Sequence, residues 1–549
     1  MKPEYFKLAS ASDSPRHSLD DEERKTLISS EQRRHDDAQY DEEETAELPP
    51  PSRSRKCVVF SVLFFSLLLL SIAIPLRNFL SGPRASDTKP QLKTQGLLSN
   101  GTHDFKKTAI IVSIDGLRAD YLDRNLTPHL LAISKDGLRA KSMQPVFPTL
   151  TFPNHWALMT GLYAESHGIV ANDFWDPATD RQFHYNRIES AWIADWWHGE
   201  PMWETAEKAG VRTANLMWPG PPKTTSGASP TYFVPWKDHV PLKHKLSQIL
   251  SWIDLPVDTR PQFIMGTPDQ YSEQLSIFLT STAYEPSLDQ AGHKYGPTSK
   301  VVDQVLKQVD VFARDLHDEI EARNLTDIVD IVFVSDHGMT DTSHPELVFI
   351  DDILGDGYKH INHEDGWPAM GLRFDTPENA DKYLRVLLNA SQLSDGKFDV
   401  YTHETMPKRW HFTNNERIAP IYIVPRIEYA LTNRIENGSG MNKGSHGYDN
   451  QYKEMHAMFV AHGPFSAVVK AIEADRAKSS ASSPVRRLAS LFGRDLTRPN
   501  KGWHSTADDA YVMETFENVQ VYNLMMKLLG IEEYAAPTNG TKGFWDKYF

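Results

Sequence analysis

An uncharged, predominantly apolar run extends from Cys57 to Leu76, in CVVFSVLFFSLLLLSIAIPL, with polar chain on either side. As a helix this uncharged run spans about 30 Å, the thickness of a bilayer's hydrocarbon core, and it predicts a transmembrane helix over residues 57–76. A cleaved signal peptide has a shorter apolar part nearer the N-terminus. Beyond it the pattern changes. Ala109 to Ile114 form a continuous apolar run, as expected for a strand covered on both faces, and Ile331 to Val334 form another. Between them Val302, Val305, Val309, Phe312, Leu316 and Ile320 recur at helical spacing. A helix leading into a buried strand predicts an α/β fold with a mostly parallel central sheet flanked by helices. Near the end, Phe516, Val519, Tyr522, Leu524, Met525 and Leu528 predict another amphipathic helix.

These patterns divide the chain. Residues 1–56 are rich in Asp, Glu, Ser and Arg, poor in aromatics, and end in Pro49, Pro50 and Pro51. They cannot bury enough surface to offset their ordering entropy, so a disordered cytoplasmic tail is expected. Residues 57–76 are the span, 77–107 a stem, and 108–549 the globular domain, with a Ser- and Arg-rich disordered insertion at 476–500. Arg53, Arg55 and Lys56 precede the span, which favours a cytoplasmic N-terminus. Six Asn-x-Ser/Thr acceptor sites, at Asn100, Asn125, Asn324, Asn389, Asn437 and Asn539, all follow it. Pro128 lies close behind the second of them. The expectation is a single-pass type II membrane glycoprotein with its large domain extracellular or in a vacuolar or endosomal lumen. Glu23-Arg24-Lys25-Thr26-Leu27-Ile28 resembles an acidic dileucine sorting signal, which points to the latter.

Composition narrows the function. The net charge of −15 argues against nucleic-acid binding, which needs a basic face. Cys57 is the single cysteine, so no intramolecular disulfide forms, and a large core and metals must stabilise the outer domain.

The candidate chemistry sits where the buried runs end. Asp115 closes the first, in IIVSIDGLRADYL, and Asp336 and His337 close the second, in IVFVSDHGM. In open α/β sheets ligands gather at the carboxyl ends of strands. Asp289 and His293, in LDQAGHKYGP, are four apart with a flexible Gly between them and can turn onto one ion. His446 lies in NKGSHGYDN, a Gly-flanked loop that allows close approach. Three Asp and three His without a thiolate suit zinc, with manganese or iron as alternatives, and suffice for two ions with open positions. Two such ions suit in-line displacement at phosphorus. The nucleophile candidate is Thr151, in FPTLTFPNHWALMTGLYAESHGIVAND, at an expected helix start with Pro153 in its first turn. A plain N-cap threonine is the alternative role, and the two can coincide.

The pieces IDGLRADYL, PTLTFPNH, TGLYAESHGIVAN, DQAGHKYGP, SDHGM and GSHGYDN together resemble the nucleotide pyrophosphatase/phosphodiesterase family of the alkaline phosphatase superfamily, across about residues 108–531. The resemblance implies an alkaline-phosphatase-like fold. It implies two zinc ions, one held by Asp289, His293 and His446, the other by Asp115, Thr151, Asp336 and His337. It also implies that Asn172 hydrogen-bonds a non-bridging phosphate oxygen, and that Phe152 and Trp236 stack a nucleotide base. A core position is an equal alternative for Trp236. The implied reaction runs through a threonyl-nucleotide and releases a nucleoside 5′-monophosphate, as in ATP to AMP and pyrophosphate. The partners implied are nucleoside triphosphates and dinucleotides. A lipid or choline phosphodiesterase on the same scaffold is the alternative. A sulfatase would need Cys or Ser at position 151, and phosphoethanolamine transferases have several spans. An adhesion or receptor ectodomain would leave the whole ligand set incidental.

The chain departs from the family's larger animal members by lacking cysteine-rich and nuclease-like domains, and looks like the minimal form of fungi and bacteria. Residues 266–282 interrupt an expected continuous strand. They read either as a surface loop or as untranslated sequence retained in the assembled gene, the second being favoured.

Overall fold

The computed structural model describes residues 96–237, 240–267, 288–436, 442–471 and 512–549. The expected tail, the span at 57–76, most of the stem, Asn437 and the insertion at 476–500 lie outside the described residues. Among those described, no helix is long and apolar enough to cross a membrane.

Twelve strands and five helices matter for the site. In chain order the strands are β1 (Thr108–Ser113), β2 (Leu138–Ala140), β3 (Thr213–Leu216), β4 (Tyr232–Val234), β5 (Phe263–Gly266) and β6 (Val329–Val334). Then come β7 (Ile361–Asp365), β8 (Met370–Phe374), β9 (Phe398–Tyr401), β10 (Ile421–Pro425), β11 (Phe459–His462) and β12 (Val512–Met513). The helices are α1 (Thr151–Thr160), α2 (Leu288–Tyr295), α3 (Lys300–Ala322), α4 (Pro377–Leu393) and α5 (Val521–Leu529).

The central sheet has eight strands in the order β12-β2-β11-β6-β1-β5-β3-β4. Only β11 runs against the rest, antiparallel to β6 and β2, so the sheet is mostly parallel as expected. The apolar runs of β1 and β6 are fully buried because both faces are covered. Their side chains alternate between two cores. Ile110, Val112, Ile331 and Phe333 meet the Val302, Val309, Phe312 and Leu316 stripe of α3. Ala109, Ile111, Val332 and Val334 join a core that includes Trp156 and Leu158 of α1 and Tyr522 and Leu524 of α5. Each fully buried aliphatic side chain contributes about 1.5–3 kcal/mol, so the two faces supply much of the stability. Ser299 caps α3, its hydroxyl accepting the Val302 N–H at 3.2 Å.

A smaller four-stranded sheet, β7-β8-β10-β9, packs on α4 through its own apolar cluster. A hairpin of Asp173–Asp176 and Arg181–His184 lies beside it: Asp365 of β7 accepts the Trp175 N–H at 2.7 Å.

Three expectations change in detail. The packed unit reaches back to Leu98: Leu98–Ser99 pairs with Asp104–Phe105, Phe105 is buried, and buried Lys107 pairs with Asp330. The C-terminal apolar pattern is not one helix. Phe516 sits in a short strand against Met143, Val519 in a 3-10 turn, and α5 starts at Val521. The strand β5 pairs through Gly266 with both Val112 and Leu216, and Thr267 still accepts a hydrogen bond from Lys245. The segment therefore enters after the last rung of the strand; residues 268–287 lie outside the described chain.

Candidate active site

The parallel register of β1 and β6 builds the first half of the site. Ser113 pairs with Val334, so Asp115 and Asp336, each two residues further, stand side by side at one sheet edge. The Gly116 N–H donates to Asp336 Oδ1 at 3.2 Å. His337 follows, with Nε2 3.4 Å from Asp115 Oδ1 and 3.1 Å from Asp336 Oδ2.

The second half comes from α2 and the loop after residue 444. The sequence spacing suggested a turn through Gly292; the structure has a helix instead. One helical turn places Asp289 and His293 on the same side, with His293 Nε2 3.4 Å from Asp289 Oδ2. Glycine at 292 and 444 serves close packing, because a Cβ on Gly444 would stand 2.4 Å from the Gly292 carbonyl oxygen. Pairing of Thr340 with Ser445 then carries His446 in, its Nε2 3.1 Å from His293 Nε2 and 3.5 Å from Asp289 Oδ1. The His337 and His446 rings stack with centroids 3.5 Å apart and join the two halves. Gly116, at φ +69, lies against Asp289; a Cβ there would meet its Cα at 3.0 Å.

The tautomers follow from the backbone. His293 Nδ1 lies 2.8 Å from the Gly444 carbonyl, His446 Nδ1 2.8 Å from that of Thr149, and His337 Nδ1 2.9 Å from that of Gly338. A carbonyl only accepts, so each Nδ1 carries the hydrogen, and in the neutral ring Nε2 presents a lone pair. Lone pairs of His293 and His446 thus face each other and the Asp289 carboxylate, whose buried Oδ1 has no hydrogen-bond donor among the described residues. A bound cation would offset the repulsion within such a cluster of acceptors. Burial alone would lower the His337 imidazole, but Asp336 lifts it to about 9, so without a cation its Nε2 also holds a proton, which a bound ion would displace. Burial would raise the Asp336 carboxyl, yet His337 and His155 hold it well below the carboxylate range. Burial, with His337 and His293 alongside, keeps His446 neutral. Two sets of donor atoms, Asp115–Asp336–His337 and Asp289–His293–His446, each lie within 4.8 Å of one another and could each hold a metal ion. The donors are imidazole nitrogens and carboxylate oxygens, a set that zinc, manganese or iron can take.

Thr151 is the first residue of α1, not its cap. Leu150 occupies the cap position without a side-chain hydrogen bond. The Thr151 hydroxyl instead stands 3.1 Å from His337 Nε2. Asn172 is buried and its Oδ1 accepts the Phe152 N–H at 3.0 Å, tying it to the start of α1. The sequence reading missed His155. One turn beyond Thr151, it lies between Ser113 (2.9 Å) and the Thr151 carbonyl (3.0 Å), with Nδ1 3.3 Å from Asp336 Oδ2. Its i,i+4 spacing from Thr151 was the available signal.

These residues open onto a cleft of about 590 Å³. One wall carries Phe152, edge-on to Tyr185 at 5.1 Å; the rim carries Trp236, 45% exposed and hence no core residue. Trp192 and Phe233 extend the apolar lining.

Fold and cleft together are those of an α/β protein with two candidate metal-binding groups at one cleft. The family model of type I phosphodiesterase / nucleotide pyrophosphatase matches residues 109–449. The chain belongs to this family. It is 37% identical over 375 residues to an uncharacterised pyrophosphatase/phosphodiesterase of Schizosaccharomyces pombe, covering 67% of this chain and 73% of the relative. It is 32% identical over 441 residues to the bis(5′-adenosyl)-triphosphatase of Xenopus laevis, covering 80% and 81%. Human ectonucleotide pyrophosphatase/phosphodiesterase family member 1 is 33% identical, but the match covers 79% of this chain and only 41% of that protein. Among solved structures, murine ectonucleotide pyrophosphatase/phosphodiesterase 5, as an inactive threonine-to-alanine form in complex with AMP, superposes with a TM-score of 0.62. It is 27% identical, covering 80% of this chain and 98% of the murine one.

Proposed function

We infer that this chain is a two-zinc hydrolase of nucleotide pyrophosphate and phosphodiester bonds with Thr151 as nucleophile. The observation that carries the reading is the Thr151 hydroxyl, 3.1 Å from His337 at a helix start and spared any capping role. Asp115, Thr151, Asp336 and His337 would hold one zinc; Asp289, His293 and His446 the other. Two bound cations would lower the hydroxyl's pKa and neutralise phosphoryl oxygens.

The chain's own residues do the rest. Thr151, as the alkoxide left once its proton passes to solvent, forms the bond to phosphorus while the bond opposite it breaks, so the leaving oxygen departs on the Asp289–His293–His446 side. With Oδ1 of Asn172 committed to the Phe152 N–H, its amide N–H end is the one to meet a phosphate oxygen. Phe152 and Trp236 offer aromatic faces for a nucleobase. Hydrolysis of the threonyl-nucleotide then releases a nucleoside 5′-monophosphate. The murine relative's AMP complex and the Xenopus relative's name support the substrate class.

The test is kcat/KM on the purified outer domain for a nucleoside 5′-monophosphate nitrophenyl ester against nitrophenyl-phosphocholine. A strong nucleotide preference, abolished by chelation and restored by zinc, is expected. A choline preference would move the substrate class to lipids. Activity surviving exhaustive chelation would end the two-metal reading.

A further inference from the structure

The helix α2 carries two pairs of residues four apart. Asp289 and His293 form one side of the donor cluster. Gln290 and Lys294, each one residue on, are turned by about 100° and line the cleft next to it. Lys294 is exposed at the mouth, its ammonium 5.5 Å from the Tyr295 ring centre. Among the described lining residues the lysines are Lys237 and Lys294, and there is no arginine. Lys237 follows Trp236 on the aromatic side. Lys294 is therefore the lasting positive charge on the helix that also supplies Asp289 and His293.

On the reading above, displacement by Thr151 would send the leaving group toward that helix, because nucleophile and leaving oxygen lie on opposite sides of phosphorus. The electron pair of the broken P–O bond leaves with that oxygen. When the leaving group is pyrophosphate, it carries several negative charges past the reach of the donor clusters. An aryloxide carries one charge and is short.

We propose that Lys294, assisted by Gln290, forms a subsite for a polyphosphate leaving group and sets the preference for nucleoside triphosphates over simple phosphodiesters. This rests on the nucleotide reading above. The subsite adds attraction that grows as charge builds on the departing oxygens, and its chemistry selects an extended polyanion rather than a base.

The experiment keeps the transferred group constant and changes only what leaves. The zinc-loaded protein is assayed on thymidine triphosphate and on the nitrophenyl ester of thymidine 5′-monophosphate. For an exposed ammonium, Lys294→Ala is expected to lower kcat/KM for the triphosphate roughly five- to tenfold. The ester should change less than twofold, so the ratio of the two moves with the leaving group. Lys294→Arg, which keeps the charge, should restore most of the ratio, and the wild-type ratio should fall as ionic strength rises. Equal loss on both substrates, or an unchanged ratio, would overturn the subsite. Absence of turnover on both substrates in the wild type would instead strike the nucleotide reading itself.

Discussion

At the scale of single residues, Thr151 bears most of the argument. Its helix-start position was legible from Pro153 two residues on, but the free cap was not. Only the structure places Leu150 at the cap and turns the hydroxyl to His337. Thr151→Ala should therefore cost little stability and nearly all chemistry. Turnover of the nucleotide ester is expected to fall at least about a thousandfold. Zinc content by elemental analysis should stay largely intact, because six of the seven proposed ligands remain. Turnover within tenfold of wild type would remove Thr151 as nucleophile. His155 shows the limit of reading residues singly. Its partners, Ser113 and Asp336, are 42 residues before it and 181 after it, and nothing local marks that meeting.

At the scale of elements, β1 and β6 were legible because a strand buried on both faces shows as an unbroken apolar run. What the run cannot show is register, and register is what sets Asp115 beside Asp336. The helix α2 was obscured by Gly292, a poor helix former retained where Met339 and Gly444 press close. The hairpin after Asn172 depends on another element, through Asp365. Burial pushes that carboxyl up to about 7 despite Arg373 beside it. In the unfolded chain it titrates near pH 4. Between these values the folded state holds more protons, so this group's contribution to stability falls as pH rises from about 4 to 7 and is fully lost above. Asp365→Asn cannot titrate yet still accepts the Trp175 N–H. Relative to wild type, the variant should gain stability between pH 5 and pH 8, read as the shift in urea midpoint. A difference that stays flat across that range would contradict the assignment.

At the scale of the whole molecule, the two-part layout came from the sequence alone, since the tail and span fall outside the described residues. The exposed acceptor sites Asn125, Asn389 and Asn539 leave room for sugars, while the amide nitrogens of Asn100 and Asn324 already donate to the carbonyls of Arg323 and Asn100. The type II glycoprotein reading predicts a double result for the full chain made in eukaryotic cells. N-glycosidase should lower its apparent mass, and protease added to sealed microsomes should remove only the short tail. Loss of the large domain in that digestion, or an unchanged mass, would reverse the topology.

The three imidazoles clamped by the carbonyls of Thr149, Gly338 and Gly444 carry a consequence for maturation. The arrangement of these three proposed ligands is set by the polypeptide's own hydrogen bonds, so filling the centre would require no refolding. Chain synthesis and mineral supply can then be separated in time and compartment, and an emptied enzyme would regain activity at the rate of ion entry through the cleft.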